Sequence, residues 1–342
     1  MDERGVLIRR SLVEDIRLEE QDLRAALDEF GDDFGVQGKD GIGRKTEAPW
    51  VRLYSKRMSP AATEGFYVVI HFAADGSSVF VTVGCGSTVW NKGDLSAISD
   101  DALAARTDWA RAVIMDEFKT LKPFDDRIIL GARAALPRTF EKATAVAKRI
   151  SYEAIEEHSF RQCVVDATKR LTALYRAQVA GADRSQDDLI DLDIEAISNP
   201  AKSKRIGQGY NLSAEDRRAI ELRAMDAASE WLRLKGFEVI DRSSTHSYDF
   251  EARKGGETLK IEVKGTTSNS ADAILMTRNE VDLHHAEKGK TGLILVYNIR
   301  LDRDAGNRVG HGGTVCDELN WDISKWNIEP TAFKLTRTNL RL

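Results

Sequence analysis

An acid and a base lie two residues apart in the segment TLKIEVKGTT, residues 258–267. If this segment is a strand, its period of two puts Glu262 and Lys264 on one face and the apolar side chains on the other. Upstream, YDFEA places Asp249 on a preceding strand, and residues 254–257, KGGE, suit the turn between the two strands. Asp249 and Glu262 can therefore point the same way, with Lys264 one pleat further along.

These residue types suit metal-assisted hydrolysis of a phosphodiester. The carboxylates of Asp249 and Glu262 and the backbone carbonyl of Val263 are the oxygen ligands that Mg²⁺ (or Mn²⁺) prefers. A bound metal lowers the pKa of a water and offsets charge on the phosphodiester in the transition state. The Lys264 ammonium can orient that water or stabilise the phosphorane. The alternative is a solvated face, because alternating charged and apolar residues also describe any half-exposed hairpin.

The predicted helix before this hairpin offers a further acid. Residues 213–236, SAEDRRAIELRAMDAASEWLRLKG, begin with a serine N-cap and close on glycine. Glu221 heads an apolar stripe that continues four, seven and eleven residues later, so its carboxylate is expected to point partly inward. Such a carboxylate is either salt-bridged or a third acid of the metal site.

The order of Glu221, GFEVIDRS, YDFEA, KIEVKGTT and LMTRNE resembles the PD-(D/E)XK nuclease superfamily. More narrowly, it resembles a small domain at the C-termini of bacterial restriction-type proteins, with an E-V-K-G-T strand and an L-T-x-N-E helix start. The resemblance covers roughly residues 213–300, and Tyr248 stands where the superfamily has proline. It implies a restriction-endonuclease-like α/β fold and the catalytic residues Glu221, Asp249, Glu262 and Lys264, with Asp249, Glu262 and Val263 as metal ligands.

The helix start TRNE also has a structural interpretation. Thr277 and Glu280 are spaced as a capping box, in which each satisfies a backbone N–H of the other. We predict that role for both, with Asn279 as a DNA-backbone contact. His284 and His285 follow on the same helix and are expected on a solvated face.

A glycine-rich loop, GKDGIGRKTEAPW, spans residues 38–50. It is not expected to be a phosphate loop, because Arg44 stands where G-x-x-x-x-G-K-[ST] requires glycine and no strand is predicted before it. No other nucleotide-triphosphate motif is found, so no nucleotide requirement is expected. The G-x-G loop, the following Pro-Trp and the G-F-Y strand start at residue 65 resemble the N-terminal DNA-binding domain of McrB, the specificity subunit of a modified-cytosine restriction system, over about 170 residues.

This second resemblance implies a pocket that takes up a modified base flipped out of the duplex, at an unstacking cost of a few kcal/mol. Trp50 and Tyr67 match the aromatic wall, although ordinary core packing is the alternative for both. Ile42 replaces an aromatic residue, and His71, in place of an aliphatic one, either donates a hydrogen bond to a hydroxymethyl group or only changes the pocket's size. Basic residues around the loop are the expected phosphate contacts: Arg44, Lys45, Arg52, Lys56 and Arg57.

The elements that must position these residues alternate between helix and strand. The first part reads as a helical start at about 6–30, strands at 65–74 and 77–84 joined by an Asp75-Gly76 turn, and helices near 97–119 and 138–179. The last part reads as a helix at 213–235, a strand at 237–241, the hairpin, a strand at AILM (273–276), a helix from about 278 and a strand at GLILVYNI (292–299). Residues 181–207 lack a long amphipathic period, begin acidic and end basic, which is typical of a linker.

We therefore predict an α/β (α+β) chain with three parts. Residues 1–180 form a modified-DNA recognition domain with a mixed sheet and helices, 181–207 are the linker, and 208–342 form the nuclease domain. The role of the last forty residues stays open between completing the nuclease core and binding a partner.

Composition limits the class of protein. With 342 residues, 42% hydrophobic and 31% charged, the chain is typical of a soluble two-domain protein, and it has no apolar run of about 18 residues. The polar N-terminus and three scattered cysteines favour a reducing cytoplasm, and the resemblance to restriction-type proteins implies a bacterial one. A net charge of −5 does not exclude a nuclease, whose basic groove is balanced by a metal site's acids.

The expected function is a modification-dependent (type IV-like) restriction endonuclease that cleaves double-stranded DNA with Mg²⁺. A homodimer is expected, because cutting both strands requires two active sites. Two alternatives stay open: a non-cleaving module that binds modified DNA and recruits partner proteins, and an enzyme acting on RNA or damaged DNA.

Overall fold

The computed structural model describes residues 3–41, 45–91, 94–182, 214–269, 274–303 and 308–329. The chain divides into two compact units, Met1–Val179 and Ala180–Leu342, each with its own five-stranded sheet. The predicted α/β class is confirmed. All but two residues of the expected linker at 181–207 lie outside the described residues.

The first unit contains a helical start, an antiparallel sheet and later helices. Its helices are α1 (Glu3–Val6), α2 (Leu12–Leu18), α3 (Glu20–Leu27), α4 (Asp100–Phe118), α5 (Ala135–Lys142) and α6 (Glu157–Val179), with a π-helical stretch at Leu7–Ser11. Its strands are β1 (Phe34–Lys39), β2 (Trp50–Ser55), β3 (Phe66–Phe72), β4 (Ser78–Cys85), β5 (Thr88–Asn91), β6 (Asp94–Ala97) and β7 (Thr144–Ser151). The main sheet has the order β1-β2-β3-β4-β7 with every pair antiparallel, so this sheet is not mixed as predicted.

The β3–β4 hairpin follows the predicted pattern. Gly76 adopts φ +75° at the turn, a left-handed conformation that glycine takes without steric cost, and the Asp75 carboxylate accepts a hydrogen bond from the Ser77 N–H at 2.9 Å. Nearly every residue of β3 is buried, so this strand lies at the centre of the sheet and is covered on both faces. On one face α6 packs across it, where the Tyr175 hydroxyl donates to the Phe66 carbonyl at 2.8 Å.

A strand interrupts the region predicted as one helix at 138–179. β7 pairs with β4 along its whole length and forms an edge of the sheet. Its sequence, TAVAKRIS, contains alanines and cations that a helix also accepts, so local propensity does not distinguish the two states. The paired residues of β4 lie 60 to 73 positions away, and this tertiary contact decides the structure.

The second unit contains a mixed sheet between helices. Its elements are α7 (Ala214–Leu234), β8 (Glu238–Asp241), β9 (Phe250–Lys254), β10 (Glu257–Gly265), α8 (Arg278–Ala286), β11 (Thr291–Asp302), β12 (Val309–Leu319) and a 3₁₀ turn at Ile323–Lys325. The strand order is β12-β11-β10-β9-β8, in which only β10 and β11 are parallel.

The helix α7 covers one face of this sheet. Ala224, Ala228 and Leu232 pack in a buried cluster with Ile261 and Val263 of β10. Where α7 crosses the end of β10, a Cβ added at Gly265 would lie 2.7 Å from the Ala224 Cβ and 3.2 Å from the Ile220 carbonyl oxygen. Glycine is therefore required at this crossing.

The opposite face is covered by α8 and the segment after β12. Leu293 and Leu295 of β11 form a second buried cluster with Trp321 and Ile323. The last forty residues therefore complete the core of this unit in their described part, with β12 as an edge strand. The strand predicted at AILM is absent, since residues 274–276 have no regular structure. None of the described helices is long and apolar enough to cross a membrane.

Candidate functional site

The strand β10 carries Glu262 and Lys264 on the face opposite α7, as the strand period predicts. Glu262 is fully buried, and its Oε1 lies 2.9 Å from the Lys264 Nζ. Lys264 is half-buried, with 24% of its side chain exposed. A buried carboxylate needs such a charged partner, because an uncompensated one costs several kcal/mol.

Asp249 lies beside the same part of β10. Phe250 pairs with Ile261, and the Asp249 N–H donates to the Ile261 carbonyl at 2.9 Å. The Asp249 side chain is buried, and its Oδ2 accepts a hydrogen bond from the Val263 N–H at 2.7 Å. The carboxylate is thus held against the peptide group that joins Glu262 to Val263. The structure brings together Asp249, Glu262 and Lys264, three of the four residues predicted to be catalytic.

Glu221 is placed differently from the prediction. Its side chain is exposed instead of pointing partly inward, although Ala228 and Leu232 further along the same stripe are buried. The buried face of this part of the helix is formed by Ile220, Ala224 and Ala228, and Glu221 is turned away from it by one residue, about 100° around the helix axis. Glu221 follows Ile220, whose carbonyl lies against Gly265, so it is near the end of β10 that bears Lys264.

A third buried acid, Glu280, contacts Lys264. The sequence predicted this residue only as a helix cap. Glu280 is 1% exposed, and its Oε2 accepts hydrogen bonds from the Lys264 Nζ at 3.0 Å and from the Thr277 N–H at 2.9 Å. The Glu280 N–H in turn donates to the Thr277 hydroxyl at 3.3 Å. The predicted capping box is confirmed, and the same carboxylate also binds the lysine.

The two histidines of α8 differ from each other. His285 is exposed, as predicted, but His284 is buried with its ring centroid 4.6 Å from that of Trp321. Burial lowers the pKa of His284 to about 4, so its ring is neutral at pH 7. The prediction of a solvated face was wrong for His284, because residues after β12 return to cover this side of α8.

The donor set at this end of β10 fits a hard divalent cation. Asp249, just before β9, and Glu262 of β10 are buried carboxylates, and oxygen ligands of this kind suit Mg²⁺. Two buried acids, Glu262 and Glu280, contact the Lys264 ammonium, while Asp249 contacts the Val263 N–H on the same strand. Among the described residues, no group of three or more His, Cys, Asp or Glu side chains is arranged to hold a metal.

The aromatic residues predicted for the base pocket share one face of the first sheet. Trp50 of β2 pairs directly with His71 of β3, and Tyr67 lies on the same face of β3. Trp50 is half-buried, whereas His71 is buried and stacked on Phe140 at a centroid distance of 5.7 Å. Burial lowers the pKa of His71 to about 3. Ile42, the fourth predicted pocket residue, lies outside the described residues.

The Tyr67 hydroxyl forms a hydrogen bond within the first unit. It donates to the Ala62 carbonyl at 2.7 Å, and burial raises the pKa of Tyr67. Arg52 of β2 lies 5.5 Å from the Tyr67 ring and 3.8 Å from the Tyr54 ring. Its Nε donates to the Gln37 side chain at 2.9 Å, and only 2% of the residue is exposed. The prediction of Arg52 as a phosphate contact was therefore wrong, because its guanidinium is packed inside the domain.

Comparison with protein families gives two matches. Residues 5–177 match the family described as MrcB-like, N-terminal domain, which is half of the chain. The chain belongs to this MrcB-like family. Residues 220–308 match the family described as Protein NO VEIN, C-terminal, and this stretch contains every predicted catalytic residue as well as Glu280. No curated protein and no solved structure matches the chain.

Together the two matches are consistent with a restriction-associated architecture. The NO VEIN C-terminal match indicates a nuclease-like domain.

Of the described cations predicted to contact phosphates in the MrcB-like domain, three are exposed, one before β2 and two after it. Lys45 precedes this strand and is exposed. Lys56 and Arg57 are exposed beyond its other end, where the Arg57 N–H donates to the Asp33 carboxylate at 2.6 Å. At about 3.3 Å per residue these two cations lie roughly 20 Å from Trp50. They therefore do not flank the loop as predicted.

Two further residues were predicted to contact the DNA backbone. Arg44 lies outside the described residues, and Asn279 is exposed in the first turn of α8 in the second unit.

A basic cleft beside β1 was not found from the sequence. Its volume is about 270 Å³, and it is lined by Arg9, Arg10 and Arg17 from the N-terminal helices and by Gly38 of β1, with Glu14 as its acidic member. A Cβ at Gly38 would lie 2.0 Å from the Ile8 carbonyl, so glycine permits the helical stretch to approach the strand. In the sequence these arginines are typical of an ordinary solvated helix face.

Proposed function

We propose that the chain is a modification-dependent restriction endonuclease. Its MrcB-like domain binds double-stranded DNA that carries a modified base, a modified cytosine in our proposal, and its second domain hydrolyses DNA phosphodiesters with Mg²⁺ and without a nucleotide triphosphate. The two family matches support this combination of a DNA-binding and a nuclease-like domain.

The observation that carries the proposal is the meeting of Asp249, Glu262 and Lys264 at one end of β10. Asp249 contacts the peptide between Glu262 and Val263 at 2.7 Å, and Lys264 lies 2.9 Å from Glu262. Two of these charges are buried, which an ordinary solvated hairpin face does not require. Buried charges are costly for stability, and active sites are where proteins retain them.

Each residue has a defined part in hydrolysis. Asp249, Glu262 and the Val263 carbonyl would hold Mg²⁺, which when bound acidifies a water and offsets charge on the phosphate. The Lys264 ammonium is held beside Glu262, where it can donate to a phosphate oxygen or orient the attacking water. Glu221, on the exposed side of α7, is proposed as an additional acid that approaches the site from the helix.

Base recognition is proposed for the face that carries Trp50 and His71. A half-buried tryptophan offers a stacking surface for an extruded base. His71 is neutral at pH 7, and its Nδ1 is buried without a hydrogen-bond partner, so the imidazole retains capacity for a polar group such as a hydroxymethyl. Exposed Lys45 and the cleft of Arg9, Arg10 and Arg17 provide cations for phosphates. Cleavage of both strands would use a homodimer.

Substitutions in the second domain should reduce DNA cleavage without reducing DNA binding. Asp249→Asn, Glu262→Gln and Lys264→Met should each reduce Mg²⁺-dependent cleavage of a modified duplex at least about 100-fold, because each removes a charge that acts on the transition state. DNA affinity should remain within about threefold, since the first domain makes the specific contacts.

The matched control is Glu257→Gln, which neutralises an exposed acid at the start of the same strand. It should cleave like the wild type. Wild-type cleavage by any one of the three site variants would contradict the nuclease assignment.

A further inference from the structure

The Lys264 ammonium is held by two carboxylates that come from different elements. Glu262, on its own strand, lies 2.9 Å from the Nζ, and Glu280, from α8, accepts a hydrogen bond from the Nζ at 3.0 Å. Both acids are almost completely buried. A lysine side chain is long and flexible, so a single contact leaves its head group free to swing, whereas two contacts from separate elements define its position.

Glu280 is itself fixed in place. Its Oε2 accepts from the Thr277 N–H at 2.9 Å, and its own N–H donates to the Thr277 hydroxyl. This capping box ties the carboxylate to the first turn of α8, where the positive end of the helix dipole also favours a negative charge.

The helix α8 is in turn anchored on the sheet. Val281 packs against the buried cluster of Leu293 and Leu295, and His284, one turn after Glu280, is buried against Trp321. The outward face is polar, with Arg278 and Asp282 paired at 2.9 Å and largely exposed. The packing therefore determines which side chains of α8 face β10, and Glu280 is one of them.

Helix capping alone does not explain this arrangement. A capping-box glutamate has only to reach the N-cap N–H, which it can do on a solvated helix end. Here the same oxygen also meets the lysine, and the carboxylate is buried, which is costly without a cation.

We propose that Glu280 is a positioning residue of the nuclease site, which holds the Lys264 ammonium against Glu262. The inference rests on the proposed function. Glu280 acts only through Lys264 and need not touch DNA.

The first test compares two variants of the capping box. Glu280→Gln keeps the side-chain shape and an oxygen for the Thr277 N–H but removes the charge that faces Lys264. We expect kcat to fall about ten- to a hundredfold, as misplacement of a catalytic group does, while KM for DNA changes by less than about twofold. Thr277→Ala removes the hydroxyl that accepts from the Glu280 N–H but leaves the carboxylate and the Thr277 N–H that donates to it, so it should lower the Tm and reduce kcat much less than Glu280→Gln does.

If Glu280→Gln cleaves like the wild type, or if Thr277→Ala loses as much kcat as Glu280→Gln, the positioning role is overturned and Glu280 is only a cap.

The second test needs no cleavage. Urea unfolding of the full-length wild type, Lys264→Met, Glu280→Gln and the double variant forms a double-mutant cycle. Non-additive effects on the free energy of unfolding are expected for a direct pair, and additive effects would overturn the inference. A wild type that cuts no DNA would refute the proposed function, while the cycle would still decide whether Glu280 holds Lys264.

Discussion

At the scale of residues, local sequence predicts side-chain direction better than it predicts partners. The strand period correctly placed Glu262 and Lys264 on one face, because the alternation of a strand is a local property. The contact of Lys264 with Glu280 joins residues sixteen positions apart, across a loop and onto a helix. No periodicity encodes such a contact, so the same glutamate could be predicted only as a cap.

Two other predictions were wrong because the residue is buried instead of exposed. Arg52 was expected at the surface from its charge, yet it stacks on Tyr54 and is covered. His284 was expected in solvent and is buried by Trp321, which follows it by thirty-seven residues. In both cases the covering groups come from distant parts of the chain, which single-residue chemistry does not reveal.

The buried His71 predicts a pH dependence of stability. Its folded-state pKa of about 3 lies below the unfolded value of about 6.5, so below pH 6.5 the unfolded state binds a proton that the folded state does not. Stability from a neutral His71 is therefore full above pH 6.5 and falls by about 1.4 kcal/mol per pH unit below it, towards the folded pKa.

His71→Phe keeps an aromatic ring against Phe140 but cannot take up the proton. Urea unfolding at pH 7 and at pH 5 should show the wild type losing about 2 kcal/mol more than this variant over the interval. Equal losses in the two proteins would show that His71 is not held neutral by burial.

At the scale of elements, the predictions succeeded where neighbouring segments pair. The β3–β4 and β9–β10 hairpins follow from alternating strands and turn residues such as Asp75-Gly76. The strand β7 was not predicted, because its pairing partner is distant in the sequence and its composition suits a helix. The prediction of a strand at AILM was wrong for a different reason. A short apolar run is typical of a strand, but Ile274 and Met276 pack on the Leu293 cluster without joining the sheet.

The crossing of α7 over β10 gives a prediction at this scale. Gly265→Ala would place a methyl group 2.7 Å from the Ala224 side chain and near the Ile220 carbonyl. The helix must shift, which should cost about 1–3 kcal/mol in unfolding free energy and lower cleavage, because Lys264 and Glu221 lie beside the crossing.

Gly256→Ala is the matched control, in the turn at the other end of the hairpin. Its Cβ would meet nothing within 4 Å, but the residue has φ +85°, so about 1 kcal/mol of backbone strain is expected without loss of cleavage. Chemical denaturation and a cleavage assay on both variants check the prediction. Equal cleavage by Gly265→Ala and the wild type would mean that the crossing does not position the site.

At the scale of the whole molecule, net charge was uninformative because charges of both signs occur in each unit. Exposed cations occur in both units, such as Lys45 and Arg10 in the first and Arg253 and Lys254 in the second, whereas the two acids that contact Lys264 are buried. The overall charge of −5 is the sum of surfaces with different chemistry. The two-domain α/β class was predictable because helix and strand patterns extend over whole segments. The chemistry of the base pocket was less predictable from the sequence, since Tyr67 and His71 are largely buried.

The central claim is that recognition of a modified base in one domain directs metal-dependent cleavage by the other. Its most direct test is cleavage of four matched duplexes that carry plain, 5-methyl-, 5-hydroxymethyl- and glucosylated cytosine, with Mg²⁺ and no nucleotide triphosphate, by the wild type and by Lys264→Met. We predict that the wild type cuts only duplexes that carry a modified cytosine and that Lys264→Met cuts none. Equal cutting of all four duplexes would contradict the recognition of modified bases, and selective binding without cutting would contradict the nuclease.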